Sequence, residues 1–290
     1  MSDTINSLRR KINSAGELQS VVRAMKALTA SSIGQYETSV LALADYNHAV
    51  NLGLCAALRD SVPRTLVAKK NIRTNVRAVV FGSDQGLVGQ FNDIVGDYAV
   101  QALASSADKL QLWAVGERVR ERLEDSGLHV MAVFEVPHSV QGISMLVGEI
   151  LIQCEERSRE EDAELYLLYN RPTSEAIYAP TSQRLLPLDE TWRRKLVGID
   201  WPSKKLPEVI GGNVKVLRSL IREYLFVSLF KACAESLASE NASRLAAMQR
   251  ADKNIDDLLK VLKEKFHRVR QSRIDEELFD VISGFESLQT

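Results

Sequence analysis

Between Asn213 and Ser283 the sequence contains neither glycine nor proline. These two residue types interrupt helices most strongly, so their absence over roughly 70 residues predicts one continuous helix. An average globular helix has only three or four turns. At about 1.5 Å rise per residue, this helix would be on the order of 100 Å long. A chain of 290 residues cannot bury it in one domain, so we expect its apolar face to pack against a second long helix or inside another protein.

The chain also has few cysteines and histidines, and its net charge is close to zero. Cys55, Cys154 and Cys233 are isolated and form no CxxC motif, which argues against a disulfide framework or a zinc site. The 4 histidines do not cluster, so we predict no metal and no cofactor. A formal net charge of −1 argues against nucleic acid as a partner. No run of apolar residues is long enough for a transmembrane helix and no signal segment is evident, so we expect a bacterial cytosolic chain or one peripheral to a membrane.

The long helix carries a heptad pattern in its second half. Apolar residues recur at alternating steps of three and four over more than three heptads, which is typical of a coiled-coil seam. Asp252 occupies one position of this seam. A charge there either costs stability while setting the register or marks a solvated gap in the packing, and the pattern leaves both open. The apolar seam positions are Leu245, Met248, Ile255, Leu259, Leu262, Phe266 and Val269.

A second long helix is predicted from about Thr4 to Asp60. It follows residues that can cap a helix N-terminus, and it shows the same spacing of apolar residues. Two long seams at opposite ends of one chain pair most simply with each other, as an antiparallel coiled coil. The seam positions are Ile5, Leu8, Ile12, Ala15, Val22, Ile33, Tyr36, Val40, Leu43, Val50 and Leu54, with the polar Gln19, Lys26, Thr29 and Asn47 filling the remainder.

The middle of the chain shows a different pattern of predicted secondary structure. After a basic, linker-like segment from Ser61 to Asn75, strand-like runs alternate with helical stretches, which is typical of a parallel or mixed sheet covered by helices. We therefore predict a Rossmann-like α/β domain (61–210) inserted between two coiled-coil helices (1–60 and 211–290). The predicted strands are Val76–Phe81, Leu110–Val115, Leu128–Val136 and Glu164–Tyr169, with an edge strand near Ile177 or at Gln183–Leu188. The first predicted helix follows Gly89 and ends at about Ala104, and the other two are Glu117–Asp125 and Ile143–Arg157.

The glycine-rich loop from Gly82 to Gly89 is the most tempting candidate for a chemical site. It follows a strand and precedes a helix, where phosphates often bind. Its spacing, however, fits neither the GxGxxG fingerprint nor a P-loop, which needs a following Lys-Ser or Lys-Thr pair. The paired carboxylates of the chain lie in charged runs typical of solvated faces. We therefore interpret the loop as a structural turn and predict no active site.

Two surface patterns of the long helices favour protein partners. A charged run is most often a solvated face, but a basic collar on both helices favours acidic proteins. An apolar tip near the C-terminus, formed by Leu278, Val281, Ile282, Phe285 and Leu288, suggests a socket in another protein. The basic collar comprises Arg9, Arg10, Lys11, Arg23 and Lys26 on the first helix and Lys263, Lys265, Arg268, Arg270 and Arg273 on the last.

Four segments carry recognisable motifs. They are RRKINS with VVRAMK (9–14 and 21–26), SDQGLVGQFN (83–92), ESLASENASRLAAMQRADKN (235–254) and RVRQSRIDEELFDVISG (268–284). In order and spacing, these segments resemble the gamma subunit of F-type ATP synthases. The sequence departs from that family's patterns at Gln85, where Arg is usual, at Val88, where Cys is usual, and at Asp275, where Thr is usual.

The resemblance implies both a function and partners. The paired helices would be the central rotor shaft within a hexamer of alpha and beta subunits. The α/β domain would be the foot that binds the epsilon subunit and the ring of membrane c subunits. Ion-driven rotation would then take the beta subunits in turn through ATP synthesis or hydrolysis, and the chain itself would be a non-catalytic subunit. Its place would be peripheral, at the cytoplasmic face of the bacterial inner membrane.

Contact residues are implied by the same resemblance. Those expected beside the acidic lever of the beta subunit are Arg23, Met25, Lys26, Arg270 and Gln271. Arg244 is expected near the catch region of the head, and Leu278 and Ile282 in the socket that receives the tip.

Two other functions stay open on the residues alone. An α/β nucleotide-binding enzyme could dimerise through a coiled coil, and it would bind a nucleotide at the loop from Gly82 to Gly89. A coiled-coil scaffold protein would instead form a stable homo-oligomer without an ATPase head.

Overall fold

A computed structural model describes residues 4–60, 75–104, 110–158, 163–188, 190–203, 205 and 213–287. They form two compact units, one of Met1–Thr29 with Arg244–Thr290 and one of Ala30–Ser243. Each unit contains part of the first helix and part of the last. The helices are α1 (Ile5–Asp60), α2 (Phe91–Leu103), α3 (Glu117–Asp125), α4 (Val140–Ser158), α5 (Glu190–Val197) and α6 (Asn213–Ser287), and the strands are β1 (Asn75–Phe81), β2 (Leu110–Val115), β3 (Val130–Phe134), β4 (Ala163–Arg171) and β5 (Ala179–Leu186).

The larger unit is built on a five-stranded mixed sheet with the order β3-β2-β1-β4-β5. Strands β1 to β4 pair in parallel, and β5 runs antiparallel to β4 at one edge. The prediction of an α/β sheet is confirmed, and the edge strand lies between the two positions that the sequence allowed.

Strand β1 shows why this sheet is covered on both faces. Val76, Ala78 and Val80 pack with α2 and α3 on one face, while Val79 and Phe81 pack with α4 and α6 on the other. Because successive side chains alternate between the faces of a sheet, a strand buried on both sides needs a continuous apolar run. The run from Val76 to Phe81 is therefore the direct sequence signal of this three-layer arrangement.

Helices α1 and α6 run antiparallel in the larger unit. The Tyr46 hydroxyl donates a hydrogen bond to Glu223 Oε2 at 2.7 Å. Seven residues later on α1, Gly53 packs against Leu220, which precedes Glu223 on α6. Their shared apolar cluster extends to α5, a helix that the proline-rich sequence did not predict, and consists of Val50, Leu54, Ala57, Leu58, Leu196 and Leu217.

The smaller unit contains α1 up to Thr29 and α6 from Arg244 onward. Its apolar contact follows the predicted seams, with Ala15 and Val22 on α1 buried against Met248 and Ile255 on α6. The long glycine- and proline-free stretch is thus one helix, as predicted. Within the described residues, no helix is both long and apolar enough to cross a membrane.

We predict that Gly82→Ala destabilises the larger unit. A Cβ at this position would meet Val119 Cγ1 at 2.5 Å and Asn92 Oδ1 at 2.7 Å, and neither lies on a flexible end. Overpacking of this kind costs about 1–3 kcal/mol of unfolding free energy, measurable by urea denaturation. Gly86→Ala is the matched control, because nothing lies within 4 Å of a Cβ there. Equal unfolding free energies for the two variants would contradict the crowding argument.

Candidate interaction site on the paired helices

The loop after β1 is fastened by hydrogen bonds at the carboxyl edge of the sheet. Asp84 Oδ1 accepts from the backbone N–H of Glu117 at 2.9 Å, and its Oδ2 accepts from that of Val136 at 2.8 Å. The hydroxyl of Ser243, on α6, donates to the Val88 carbonyl at 2.6 Å. The carboxylate therefore joins the ends of neighbouring strands, in agreement with a structural turn.

Two buried titratable groups, near β4 and on α6, have raised pKa values. The Tyr169 hydroxyl donates to Glu235 Oε2 at 2.9 Å. Burial raises the pKa of Tyr169, and the negative charge of Glu235 raises it further. Burial, together with the charge of Glu240, likewise raises the pKa of the Cys233 thiol. Both groups therefore stay protonated at neutral pH. In the part of the chain that the structure describes, no cluster of side chains fits a metal ion.

The smaller unit brings predicted contact residues together around Asp252. We call Gln19, Arg23, Lys26, Asp252 and Asp256 the Asp252 cluster. Gln19 Nε2 donates to Asp252 Oδ1 at 3.2 Å and to Asp256 Oδ1 at 2.6 Å. Arg23 Nε donates to Asp252 Oδ1 at 3.2 Å, and Lys26 Nζ donates to Asp252 Oδ2 at 3.5 Å. Residues of α1 thus satisfy the carboxylate that interrupts the seam of α6.

The electrostatics of the cluster favour a charged Asp252. Partial burial by itself raises the pKa of this carboxyl, but hydrogen bonds from Arg23 and Gln19, with the charge of Arg23, outweigh it. The pKa of Asp252 is therefore lowered from its ordinary value. Asp252 and Asp256 are one turn apart, where like charges repel, and the amide of Gln19 lies between them as a shared donor. The sequence allowed Asp252 to be either a register-setting charge or part of a solvated gap. The first alternative fits this geometry, because side chains of α1 donate hydrogen bonds to both carboxylate oxygens.

The other predicted contact residues lie on both long helices, with Met25 on α1 and the rest on α6. Met25 packs in the apolar cluster with Val22 and Met248, and Arg244 is partly buried. Arg270 and Gln271 are exposed and lie 18 or more residues beyond Asp252, which is about 27 Å along a helix. They do not join Arg23 and Lys26 in one site.

The basic collar and the apolar tip are both exposed. Every collar residue except Lys26 is exposed, and Lys26 is partly so. At the tip, Leu278 is 57% exposed and Ile282 is 46% exposed, and Phe279 and Val281 are exposed beside them. Leu288 of the predicted tip lies outside the described residues, as does the side chain of Phe285. Four large apolar side chains within one and a half turns of solvent-facing helix form a surface that no described residue of this chain covers.

Comparison with known proteins identifies the family. A sequence model described as ATP synthase matches residues 4–288. The chain belongs to this family. A relative named ATP synthase gamma chain, from Hyphomonas neptunium, is 28% identical over 98% of this chain and 99% of its own length. Another of the same name, from a Sulfurihydrogenibium species, is 28% identical over 97% of each chain.

Solved ATP synthase structures share the fold. A chain from the Euglena gracilis mitochondrial ATP synthase, in a structure of OSCP, F1 and c-ring, matches with a TM-score of 0.62 at 15% identity, over 98% of this chain and 94% of that one. A chain from the central stalk and c-ring of the Tetrahymena thermophila mitochondrial enzyme gives 0.59 at 19% identity, over 80% of this chain and 99% of that one. The shared fold is a mixed five-stranded sheet with long N- and C-terminal helices.

Gln19 and Asp256 are the members of the Asp252 cluster for which the sequence predicted no contact. Gln19 occupies a polar position of the first seam. An antiparallel register that sets Val22 opposite Met248 and Ile255 places Gln19 near Asp252 as well. Two polar residues at facing positions of otherwise apolar seams were therefore the available signal.

We predict that Asp252→Asn lowers stability at neutral pH and that the difference from the wild type shrinks in acid. Because the pKa of Asp252 is lowered in the folded state, its charge stabilises above the ordinary value of 3.8, and this contribution is lost as the pH falls through the folded-state pKa. Urea denaturation of both proteins at about pH 7 and about pH 3.5 measures the difference. A difference that grows on acidification would contradict the assignment of Asp252 as a charged hydrogen-bond acceptor.

Proposed function

We propose that this chain is the central rotor shaft of an F-type ATP synthase. In this role it couples ion-driven rotation of a c-subunit ring to sequential ATP synthesis or hydrolysis at the beta subunits. The observation that carries the proposal is the family match over residues 4–288, which takes in both long helices and the sheet. The gamma-chain relatives named above cover the same length.

The exposure of α6 supports this function. All described side chains from Arg270 to Gly284 are exposed, although four large apolar residues are among them. An isolated helix without a packing partner is marginally stable in water, and an exposed apolar patch commonly marks an interaction site. A surrounding hexamer of alpha and beta subunits would cover this part of the helix.

The contacts with the head remain part of the proposal. Side chains of the shaft that face the alpha and beta subunits would be Arg23, Met25, Lys26, Arg244, Arg270, Gln271, Leu278 and Ile282. The α/β domain, within 61–210, would bind the epsilon subunit and the c ring, and 1–60 with 211–290 would form the shaft. An asymmetric shaft acts by contacting different conformations of the beta subunits differently at each angle.

The chain would take no part in the chemistry of ATP. The buried Tyr169 and Cys233 are held protonated, and Asp84 is occupied by backbone donors, as described above. Nucleotide turnover would therefore belong to other subunits of the complex. Through them the chain would be held peripherally at the cytoplasmic face of the bacterial inner membrane.

Co-expression with alpha and beta subunits from the same genome tests the proposal. We expect one purified complex that contains all three chains and hydrolyses ATP, with no hydrolysis by this chain alone. Size-exclusion chromatography with mass spectrometry gives its composition. Failure to assemble, under conditions where a gamma chain of another bacterium assembles with its own alpha and beta subunits, would reject the shaft function.

We predict that truncation after Arg273 weakens coupling without loss of folding. It removes Leu278, Phe279, Val281 and Ile282, which are exposed and so contribute little to the stability of the free chain. Proton or sodium pumping per ATP hydrolysed, measured in vesicles with the assembled complex, should fall, while the circular dichroism melting temperature of the free chain stays within about 2 °C. A chain ending after Ser287 is the control. If pumping were unchanged in the chain that ends after Arg273, the result would count against a tip that binds in a socket of the head.

A further inference from the structure

Helix α6 is buried on every side between Ala232 and Asn241. More than half of the side chains in this stretch are those of alanine, cysteine or serine. A helix with one apolar stripe is oriented by that stripe, because only one rotation about its axis buries it. Where all sides are buried and the side chains are small, apolar contacts distinguish little between one rotation and another. The rotational setting of α6 on the sheet therefore needs a further determinant.

Two buried hydrogen bonds give α6 directional contacts with the larger unit. The Tyr169 hydroxyl, near the end of β4, donates to Glu235 Oε2 at 2.9 Å. The Ser243 hydroxyl donates to the carbonyl of Val88, in the loop after β1, at 2.6 Å. Glu235 and Ser243 lie eight residues apart, which is about 12 Å along a helix and about 80° around it. Two attachment points with this separation fix both the rotation of the helix and its position along its own axis.

The contact between Tyr169 and Glu235 is itself held firmly in place. Both residues are buried, and the Tyr169 ring packs edge-on against Phe81 of β1, with the ring centroids 6.5 Å apart. Hydrogen bonds to a carboxylate are stronger than those between neutral groups. Arg171 Nε and Lys231 Nζ also lie 3.6 and 3.9 Å from Glu235 Oε1, but their side chains are 53% and 43% exposed, and exposed ion pairs contribute little. The tyrosine hydroxyl is therefore the contact that ties Glu235 to the sheet.

We propose that Glu235 is a positioning residue of the rotor, which together with Ser243 fixes the rotational setting of α6 on the sheet, so that the helix and the α/β domain turn together. This inference rests on the proposed function, because it takes the chain as a rotating shaft. Torque on the α/β domain acts to turn that domain about the helix. Apolar contacts are non-directional and resist such slippage weakly, whereas a hydrogen bond weakens steeply when its geometry is distorted.

Two substitutions that each remove one hydroxyl group test the inference. Tyr169→Phe combined with Ser243→Ala deletes both hydrogen bonds and keeps the apolar packing of the ring. The full chain is assembled with alpha, beta, epsilon and c subunits in membrane vesicles, and the number of ions pumped per ATP hydrolysed is measured. We expect this ratio to fall about twofold or more while hydrolysis continues, because both directional contacts are lost and a helix that slips on the sheet turns without moving the c ring. A ratio equal to that of the wild type would overturn the inference.

Tyr166→Phe is the matched control. The Tyr166 hydroxyl donates to Glu164 Oε2, also at 2.9 Å, but both residues lie on β4, so the loss of this bond leaves the attachment of α6 intact. We expect the wild-type ratio of ions to ATP for this variant. An equal fall of the ratio in the control and in the double variant would show a general weakening of the sheet and would overturn the inference.

A conservative change at Glu235 separates positioning from stability. Glu235→Gln keeps an oxygen that accepts from Tyr169 and should retain most of the wild-type ratio, whereas Glu235→Ala should lower it. If Glu235→Ala does not assemble, the double hydroxyl variant decides the question, because its side chains are close in size to the originals. A wild-type chain that fails to assemble would instead reject the shaft function, and this inference with it.

Discussion

A carboxylate placed in the seam between two helices must be satisfied by the opposite helix, and the smaller unit is arranged around that requirement. Asp252 receives hydrogen bonds from Gln19, Arg23 and Lys26, all on α1. Apolar side chains alone allow neighbouring registers of similar energy, since one leucine or valine replaces another easily. A buried amide that bridges two carboxylates has only one good position. The polar interruption therefore supplies specificity that the apolar seam lacks.

The larger unit uses polar groups in the same way, at the edge of the sheet where many α/β proteins bind ligands. The Asp84 carboxylate accepts hydrogen bonds from two backbone N–H groups. The Ser243 hydroxyl, on α6, donates a hydrogen bond to the carbonyl of Val88 in the loop. Leu87, in the same loop, has a φ of 64° and is exposed. The carboxylate of Asp84 and the hydroxyl of Ser83 are thus engaged within the turn, and the spacing of the loop fits neither nucleotide-binding fingerprint. The proposed function accordingly uses the surface of the long helices instead.

Most of the fold follows from local patterns in the sequence. The absence of glycine and proline predicted α6, and the apolar run from Val76 to Phe81 predicted the central strand. Helix α5 was missed because Pro187 and Pro202 flank a segment of only eight helical residues, too short for a clear apolar period. The resemblance to the gamma family supplied Arg23 and Lys26, but no one-dimensional pattern shows that both point at Asp252. That contact depends on the register of two segments more than 220 residues apart.

The burial of α6 changes along its length, and its composition changes with it. From Ala232 to Asn241 every side chain is buried, and small residues there allow close packing on all sides. Around Met248 and Ile255 only one stripe is buried, and from Arg270 to Gly284 every side chain is exposed. A helical segment that faces water on all sides is expected to carry polar side chains throughout. Leu278, Phe279, Val281 and Ile282 break that rule together, within five residues of one another. Among the described residues the chain supplies no surface that packs against them, and this exposure supports the proposal that another protein does.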